Sequence, residues 1–302
     1  MSLSRRRLVV GAASLGLGAC QKPLRETRLS LGVSRLRISQ PVFLAVERHL
    51  FSRAGLEVTL EQFDTAQPLA DELGAGRLDA AGFVAFPILF EREGPPLPVR
   101  VAAAIVEDEL HPLSSLLAPL ERPLASVREL KGKRVGVLPT LAYQRWLEVL
   151  LRSEGLSLDD VTVMPVAPAL EVDALASGGI DALFTGDPMA TAAVARRVGV
   201  HVGPPAPVAR ALGGRLLFGG FAMSARLVDE RPAVARALVL ALDEAIAIID
   251  ANPVAGREAM RPWLRETERP FVDRYPPAKY LSSGAAALER PASVPPAAWY
   301  RP

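Results

Sequence analysis

The sequence predicts an α/β fold of two lobes, each a mainly parallel sheet flanked by helices, with a ligand cleft between the lobes. Short strand-like runs alternate with longer helical patterns from Leu29 onward, which is typical of βαβ units. The pattern L-x-x-G-x-(L/I)-D-A occurs at residues 73–80 and again at 175–182, which favours two similar halves, although any α/β protein can repeat helix, glycine and strand. A chain of 302 residues is also long enough to bury two cores.

The N-terminus has the pattern of an export signal. Arginines occupy residues 5–7, and an uncharged run of apolar and small residues covers 8–19. That run is too short to span a bilayer, which needs about 20 apolar residues. We therefore expect residues 1–19 to be a signal peptide. Residues 4–8 resemble a twin-arginine motif without its usual phenylalanine, so the general and the twin-arginine export routes both stay open.

Cys20 is the only cysteine of the chain and directly follows the apolar run. Leu17-Gly18-Ala19-Cys20 resembles the lipobox of bacterial lipoproteins, which implies that Cys20 is acylated and that residues 20–28 form a lipid-anchored linker. The alternative is an ordinary cleaved signal with an incidental cysteine. A single cysteine excludes an intramolecular disulfide and any multi-cysteine metal site.

The charge balance gives no reason to expect a nucleic-acid partner. Once residues 1–19 are removed, 32 basic and 33 acidic residues remain, with no polybasic cluster. The histidines, His49, His111 and His201, stand too far apart for a metal-ligand motif. We expect a monomer that has no metal and no cofactor and that touches the membrane through its lipid anchor only.

The lobe-one pattern begins with a strand at residues 29–34, a helix at 41–53 and a second strand at 57–63. After each copy of the repeated motif, a proline, Pro87 or Pro188, stands at the expected start of the next helix. Prolines favour the first turn of a helix because the missing N–H has no intrahelical partner there.

Residues 221–224 predict a strand, and a long helix follows Pro232 and ends near Asn252. Charged residues interrupt its sequence, so we interpret it as a core helix and not as a membrane span. The proline-rich residues 291–302 predict an extended surface segment. The apolar face of the helix comprises Val234, Leu238, Ala241, Leu242, Ala245, Ile248 and Ile249.

Three segments resemble one family of proteins. Residues 127–137 (VRELKGKRVGV), 44–60 and 218–253 are similar to segments of the NMT1/THI5-like solute-binding proteins that serve ABC importers of nitrate, sulfonates, taurine and thiamine-type pyrimidines. The resemblance implies a periplasmic-binding-protein-like fold of type II. It also implies an extracytoplasmic location, in the periplasm or on the outer face of the cytoplasmic membrane, with an ABC permease and ATPase as partners and a small-molecule solute as ligand.

On that fold, lobe one comprises residues 29–112 and 216–302, and lobe two comprises residues 113–215. The chain would cross between lobes near 112–116 and again near 210–218, where Gly213, Gly214, Gly219 and Gly220 permit the backbone angles of a hinge. Solute binding would then close the lobes.

Open α/β folds bind ligands at the loops that follow the carboxyl ends of their strands. Those loops are expected at residues 39–41, 64–67, 85–87, 140–143 and 186–188, and they contain no arginine apart from Arg145, one turn into its helix. Each candidate contact could instead cap a helix or pack beneath one. The candidates are Ser39, Gln40, Thr65, Phe86, Thr140, Tyr143 and Asp187.

Sequence signals for catalysis are weak, because the chain contains no G-x-S-x-G, no phosphate-binding G-x-x-x-x-G-K-(S/T), and no G-x-G-x-x-G after a strand. We expect a binding protein and not an enzyme. Two alternatives remain: a ligand sensor for a signalling partner, and a fold-related enzyme similar to the chorismate dehydratases. The fungal pyrimidine-precursor synthases share the fold but carry a cysteine-rich motif that this chain lacks.

Overall fold

The computed structural model describes residues 27–286. The predicted signal peptide at 1–19, the lipidation site Cys20 and the proline-rich segment at 291–302 lie outside these residues. The strands are β1 Arg28–Ser34, β2 Glu57–Phe63, β3 Ala80–Ala85, β4 Val99–Asp108, β5 Ser115–Pro119, β6 Arg134–Val137, β7 Thr162–Pro165, β8 Ala182–Thr185, β9 Gly199–His201, β10 Arg215–Ser224 and β11 Lys279–Leu281. The helices are α1 Gln40–Glu47, α2 Leu50–Arg53, α3 Ala66–Gly74, α4 Phe86–Phe90, α5 Leu141–Ser153, α6 Glu171–Ala176, α7 Met189–Ala195, α8 Pro207–Ala211, α9 Ala225–Glu230, α10 Pro232–Ala251, α11 Pro253–Met260 and α12 Ser283–Ala286.

The strands form two sheets flanked by helices, which confirms the predicted α/β fold. The order is β11-β4-β10-β3-β1-β2 in the six-stranded sheet and β7-β6-β8-β5-β9 in the five-stranded sheet. Parallel pairs are confined to β2-β1-β3 and β7-β6-β8, and the remaining neighbours are antiparallel. Each sheet is therefore mixed. The parallel strands that the βαβ pattern predicts make up about half of each sheet.

The repeated motif performs the same task in both sheets. Asp79 accepts a hydrogen bond from the backbone N–H of Ser30 at 2.9 Å, at the start of β1. Asp181 accepts one from the backbone N–H of Arg134 at 3.0 Å, at the start of β6. The backbone N–H groups of both aspartates in turn bond to the carbonyls of Ser30 and Arg134. In each sheet, the aspartate of the motif therefore ties the start of its own strand, β3 or β8, to the parallel neighbour, β1 or β6.

The apolar residue before each of these aspartates also packs alike. Leu78 lies against Gly32 of β1, and Ile180 lies against Gly136 of β6. A Cβ added at either glycine would stand 2.5 Å from the Cδ1 atom of the facing side chain, so the small residue makes room for the helix-to-strand turn. The repeated motif therefore makes matching contacts in the two sheets.

The chain passes between the sheets twice. The first crossing is residues 109–114, between β4 and β5, and the second is residues 212–214, between α8 and β10. Gly213 and Gly214 adopt φ angles of 97° and 103° there, which disfavour any residue with a Cβ. The six-stranded sheet consequently contains strands from both ends of the described chain, whereas all strands of the five-stranded sheet lie within residues 115–201.

Two local predictions are wrong. The helix predicted over 41–53 breaks at His49, whose φ of 56° lies in the left-handed region, so α1 and α2 are separate helices. Gly219 and Gly220 do not belong to a flexible crossing but lie inside β10, between β3 and β4. Neither position has room for a side chain. An added Cβ at Gly219 would stand 2.9 Å from the Cα of Ala85 in β3, and one at Gly220 would stand 2.7 Å from the carbonyl oxygen of Ala103 in β4.

The predicted core helix is confirmed as α10. Leu238, Leu242, Ala245 and Ile249 are each at most 1% exposed, and the helix packs on α1 and α11. Within residues 27–286, no helix is both long and apolar enough to cross a bilayer. The described part of the chain likewise holds no cluster of histidine, cysteine and acidic residues suited to a metal ion.

Candidate functional site

A small cavity lies where the two lobes meet. Its free space is about 20 Å³, and it opens to solvent. The six-stranded lobe and the first crossing contribute Leu36, Arg37, Ile38, Ala66, Ala85, Ile88, Leu113 and Phe218. The five-stranded lobe contributes Thr140, Ala142, Tyr143, Trp146, Gly186 and Asp187. Because both lobes supply the walls, a molecule held here would contact both.

A buried ion pair joins the lobes at this cavity. Arg37 Nε lies 2.9 Å from Asp187 Oδ2, and the two side chains are 2% and 6% exposed. The Nε–H is not well directed at the carboxylate, so the contact is electrostatic rather than a linear hydrogen bond. The backbone N–H of Arg37 donates to the backbone carbonyl of Asp187 at 3.1 Å, which fixes the register between the lobes.

The rest of the Arg37 guanidinium is satisfied by backbone carbonyls. One terminal nitrogen donates to the carbonyls of Pro276 at 3.0 Å and Pro277 at 3.3 Å, and the other donates to that of Pro112 in the first crossing. Asp187 is similarly held, because its Oδ1 accepts from the backbone N–H of Thr191 at 3.0 Å and from the Thr191 hydroxyl at 2.6 Å. Burial of such a pair is tolerated only when its remaining donors and acceptors are satisfied in this way.

Aromatic rings form one wall of the cavity. The ring centroids of Trp146 and Phe218, which come from different lobes, lie 4.1 Å apart at 37°. Tyr143 packs edge-on against Trp146 at 5.4 Å. Burial, together with the nearby carboxyl groups, raises the pKa of Tyr143 well above its usual value, so its phenol stays protonated and can donate a hydrogen bond.

The packing of this wall leaves no room for a side chain at Gly186. A Cβ at that position would stand 2.6 Å from the hydroxyl oxygen of Tyr143 and 2.7 Å from the carbonyl oxygen of Leu113. The glycine therefore lets the loop before α7 approach both Tyr143 and the first crossing.

The N-terminus of α5 forms the rim. Thr140 caps the helix by accepting a hydrogen bond from the backbone N–H of Tyr143 at 3.3 Å. The backbone N–H of Leu141, the first residue of α5, donates to Gln67 Oε1 of α3 at 3.2 Å, which is a further polar contact between the lobes.

A buried carboxyl group lies in the five-stranded lobe, next to the cavity loop. Glu171 is fully buried and accepts a hydrogen bond of 2.5 Å from the hydroxyl of Thr185, the residue before Gly186. Its Oε1 has no hydrogen-bond partner among the described residues. Burial raises the pKa of Glu171 to about 8, so the side chain is mainly protonated at neutral pH.

The family assignment follows from the sequence profile. Residues 22–263 match that of the NMT1-like family, which covers most of the chain. The chain belongs to the NMT1-like family.

Curated and solved proteins resemble this NMT1-like chain in different ways. A Brucella abortus protein, named only as a candidate binding protein, is 32% identical over 139 residues, which are 46% of this chain and 41% of that relative. This chain therefore aligns with less than half of the curated relative. The alkanesulfonate-binding protein SsuA of Xanthomonas axonopodis pv. citri, solved with bound MOPS, superposes with a TM-score of 0.68 at 21% identity, over 84% of this chain and 86% of SsuA.

Two further solved structures share the NMT1-like chain's fold. The periplasmic nitrate-binding protein NrtA of Synechocystis PCC 6803 has a TM-score of 0.64 at 19% identity, over 83% of this chain and 69% of NrtA. The desulfurization enzyme DSZB has a TM-score of 0.58 at 19% identity, over 80% of this chain and 82% of DSZB. These likenesses confirm the periplasmic-binding-protein fold.

The structure brings three of the seven predicted binding residues of this NMT1-like protein to the cavity: Thr140, Tyr143 and Asp187, all from the five-stranded lobe. Thr140 and Asp187 also make the helix-end hydrogen bonds that the capping alternative described. These two residues therefore both line the cavity and bond to a helix end.

The four candidates from the six-stranded lobe do not line the cavity. Ser39 contacts Ser34 and the carbonyl of Gly82, inside the lobe. Gln40 faces α11, where its Oε1 stands 3.2 Å from the Cβ position of Gly256. Thr65 is buried at the start of α3, and Phe86 packs near Phe90 and below β10.

Sequence reasoning missed the residue that organises this NMT1-like site. Arg37 precedes the predicted loop at 39–41 by two positions and therefore lies outside the loops that supplied the candidates. A signal was present, because Arg37 stands between two apolar residues, Leu36 and Ile38, shortly before a helix. Trp146 and Phe218 were missed because they lie in a helix and a strand, outside the loops.

Proposed function

We propose that this chain is the extracytoplasmic solute-binding component of an ABC importer and captures its solute between the two lobes. The observation that carries the proposal is the cavity, which both lobes line and which Arg37 and Asp187 close. Membership of the NMT1-like family and the shared fold with SsuA and NrtA support it.

The proposed mechanism is hinge closure around the two crossings. In the closed form Arg37 meets Asp187 and Gln67 meets Leu141, so the lobes share polar contacts that an open form would expose to water. A solute that contacts both lobes shifts the protein toward this closed form, which the permease recognises.

We propose a small polar or anionic organic solute, of the sulfonate, nitrate, taurine or pyrimidine type. The names of the fold neighbours support this range, since SsuA is described as alkanesulfonate-binding and NrtA as nitrate-binding. Thr140 and Tyr143 are the proposed hydrogen-bonding contacts, because both line the cavity and carry hydroxyl groups.

We further propose that the protein acts as a monomer that is anchored by acylated Cys20 outside the cytoplasmic membrane, with a permease and an ATPase as partners. The domain boundaries of this proposal are 29–112 with 216–302 for lobe one and 113–215 for lobe two. The strand content of the two sheets supports this division.

An enzyme is the second candidate, because DSZB shares the fold. The buried Glu171 carboxyl, with its pKa of about 8, is the observation that favours it, since raised carboxyl pKa values occur in catalytic acids. However, Glu171 is not among the residues that line the cavity, so it would not touch a molecule held there. A ligand-sensing domain would bind its ligand by the same closure and differ only in its partner.

A thermal-shift screen of the purified protein tests the proposal. Sulfonates, taurine, nitrate, dicarboxylates, pyrimidines and chorismate-like acids form the panel. A solute at a hundred times its Kd stabilises the folded state by about 2.7 kcal/mol. Binding of a solute that is recovered unchanged, with compaction in small-angle scattering, supports the proposal. A consumed solute, or tight binding without compaction, contradicts it.

A further inference from the structure

A second space between the lobes lies next to the cavity and shares Asp187 with it. Arg274 and Pro276 line it from the six-stranded lobe, and Arg197 and His201 line it from the five-stranded lobe. We call this space the lateral groove. Its free space is about 570 Å³. Small-molecule sites typically measure about 300–1,000 Å³, so the groove has room for a small organic molecule that contacts both lobes.

The lateral groove carries an excess of positive charge. Arg197 and Arg274 are both exposed, and neither forms an ion pair among the described residues. Arg274 lies over the ring of Phe271 at 5.9 Å, a contact that leaves its charge without a counter-ion. Asp187 is the one carboxylate in the described lining, and Arg37 already neutralises it. An anion that enters the groove would therefore meet two cations that have no counter-ion.

The rest of the lining is mainly apolar. Val194 is a large apolar residue that is nevertheless 38% exposed, and Pro112 and Pro205 line the same space. Ser115 and His201 add polar groups. A molecule that covers the apolar residues removes their surface from water, which favours binding. The lining therefore suits an organic anion with an apolar body better than a small inorganic ion.

Arg197 stands at a position where the backbone favours glycine. Its φ of 59° lies in the left-handed region, directly after the end of α7, where glycine is the usual residue. The backbone N–H groups of Arg197 and Val198 donate to the carbonyls of Val194 at 3.0 Å and Ala193 at 2.9 Å, so the helix end is satisfied by backbone alone. The fold itself gives no reason for an arginine here, and backbone strain of this kind is often retained at functional sites.

We propose that the lateral groove binds an organic anion with an apolar body and one sulfonate or carboxylate group, whose charge Arg197 and Arg274 compensate. The proposal goes beyond solute capture in the cavity, because it assigns the chain a second ligand site. Since the two arginines belong to different lobes, the bound anion favours the closed form.

Calorimetric titration of the purified protein tests the charge of the ligand. Naphthalene-2-sulfonate is the anionic probe, and naphthalene-2-sulfonamide is a neutral probe of nearly equal shape. We expect the sulfonate to bind at least about fivefold more tightly at low ionic strength. Its affinity should fall as salt is added, because both arginines are exposed to solvent. Equal affinities of the two probes, or no binding of the sulfonate, would overturn the proposal.

Two variants test whether the anion lies in the groove. Arg197→Gly removes one cation and relieves the left-handed backbone, so the melting temperature should hold or rise while the affinity for the sulfonate falls about threefold or more. Arg274→Gln, in the other lobe, should weaken binding to a similar degree. Arg210→Gln and Arg226→Gln are the matched controls, because each removes an exposed arginine outside the groove, one from each lobe. Their affinity should equal that of the wild type.

Tyr143→Phe separates the groove from the cavity. It removes a hydroxyl from the cavity lining and leaves the groove lining unchanged, so sulfonate binding should persist. If binding is lost in this variant but kept in Arg197→Gly and Arg274→Gln, the anion occupies the cavity. The groove proposal is then wrong, while the solute-binding function stands. The proposed function fails by a different readout, namely a solute that is consumed or that binds without compaction.

Discussion

Glu107 Oε2 accepts a hydrogen bond of 3.0 Å from the backbone N–H of Ala209, a residue 102 positions further along the chain. Its Oε1 accepts from the backbone N–H groups of Leu113 at 3.0 Å and Ser114 at 2.5 Å, and from the Ser114 hydroxyl at 2.6 Å. Leu113 and Ser114 belong to the first crossing, and Ala209 lies in α8, just before the second. One fully buried carboxyl group therefore ties together both connections between the lobes.

The variant Glu107→Gln tests this connection. The amide keeps one oxygen acceptor but turns the other atom into a donor that faces an N–H group, so at least one buried hydrogen bond is lost. We expect the free energy of unfolding to fall by about 1–3 kcal/mol, measured by urea denaturation. Glu129→Gln, at an exposed position before β6, is the control and should change stability by less than about 0.5 kcal/mol.

Replacing Arg37 alone should lower the free energy of unfolding more than replacing Arg37 and Asp187 together. Arg37→Met leaves Asp187 buried without its cation, and breaking a buried pair in this way costs about 3–5 kcal/mol. The double variant Arg37→Met with Asp187→Asn no longer buries a lone charge and should recover part of that loss. Additive losses in a double-mutant cycle would argue that the pair is not coupled.

Stability should depend on pH through Glu171. Its pKa is raised from the ordinary value of an unfolded chain to about 8, so the folded protein binds a proton that the unfolded chain has released. The stabilisation is complete below the unfolded pKa and is lost as the pH rises toward 8, at about 1.4 kcal/mol per pH unit. Burial raises the pKa of Glu107 as well, which adds to the slope in the same direction.

Glu171→Gln isolates that contribution. The amide is neutral at every pH, so unfolding curves between pH 5 and pH 8 should show a flatter pH profile than the wild type, although Glu107 keeps part of the slope. An unchanged profile would mean that Glu171 is ionised in the folded protein.

The close approach of β10 to β3 predicts a severe effect of Gly219→Ala. The added methyl group meets the backbone of Val84 and Ala85, which cannot move without displacing β3. We expect a loss of about 1–3 kcal/mol, or more, in urea denaturation. Gly284→Ala is the control, because an added Cβ meets nothing within 4 Å there, and it should be close to neutral. Equal stability of the two variants would contradict the strand packing described for β10.

The fold could be predicted from the sequence because its signals are local. The alternation of strands and helices and the two L-x-x-G-x-(L/I)-D-A motifs depend on residues close in sequence, and Asp79 and Asp181 show that the motif has one structural meaning. The mixed sheets could not be predicted so directly, because β10 enters its sheet from a distant part of the chain, and the sequence of one strand does not state the direction of its neighbour.

The site was predicted only in part for a similar reason. Thr140, Tyr143 and Asp187 lie at the carboxyl edge of one sheet, where the general rule expects ligands. Ser39 and Gln40 follow the same rule but turn inward, since their side chains pack within lobe one. The role of Arg37 depends on contacts with Pro112, Asp187 and Pro276, and no spacing along the chain reveals that these positions meet.

The strand order has a consequence for how the protein is made. Every strand of the five-stranded sheet is synthesised between residues 115 and 201, so that lobe has all its partners while the ribosome is still adding residues. The six-stranded sheet must wait for β11, whose Tyr280 is buried against Phe83 at a ring distance of 5.1 Å. Lobe one therefore stays incomplete until almost all of the described chain is available, so its apolar strands lack their last partner for longer than those of lobe two.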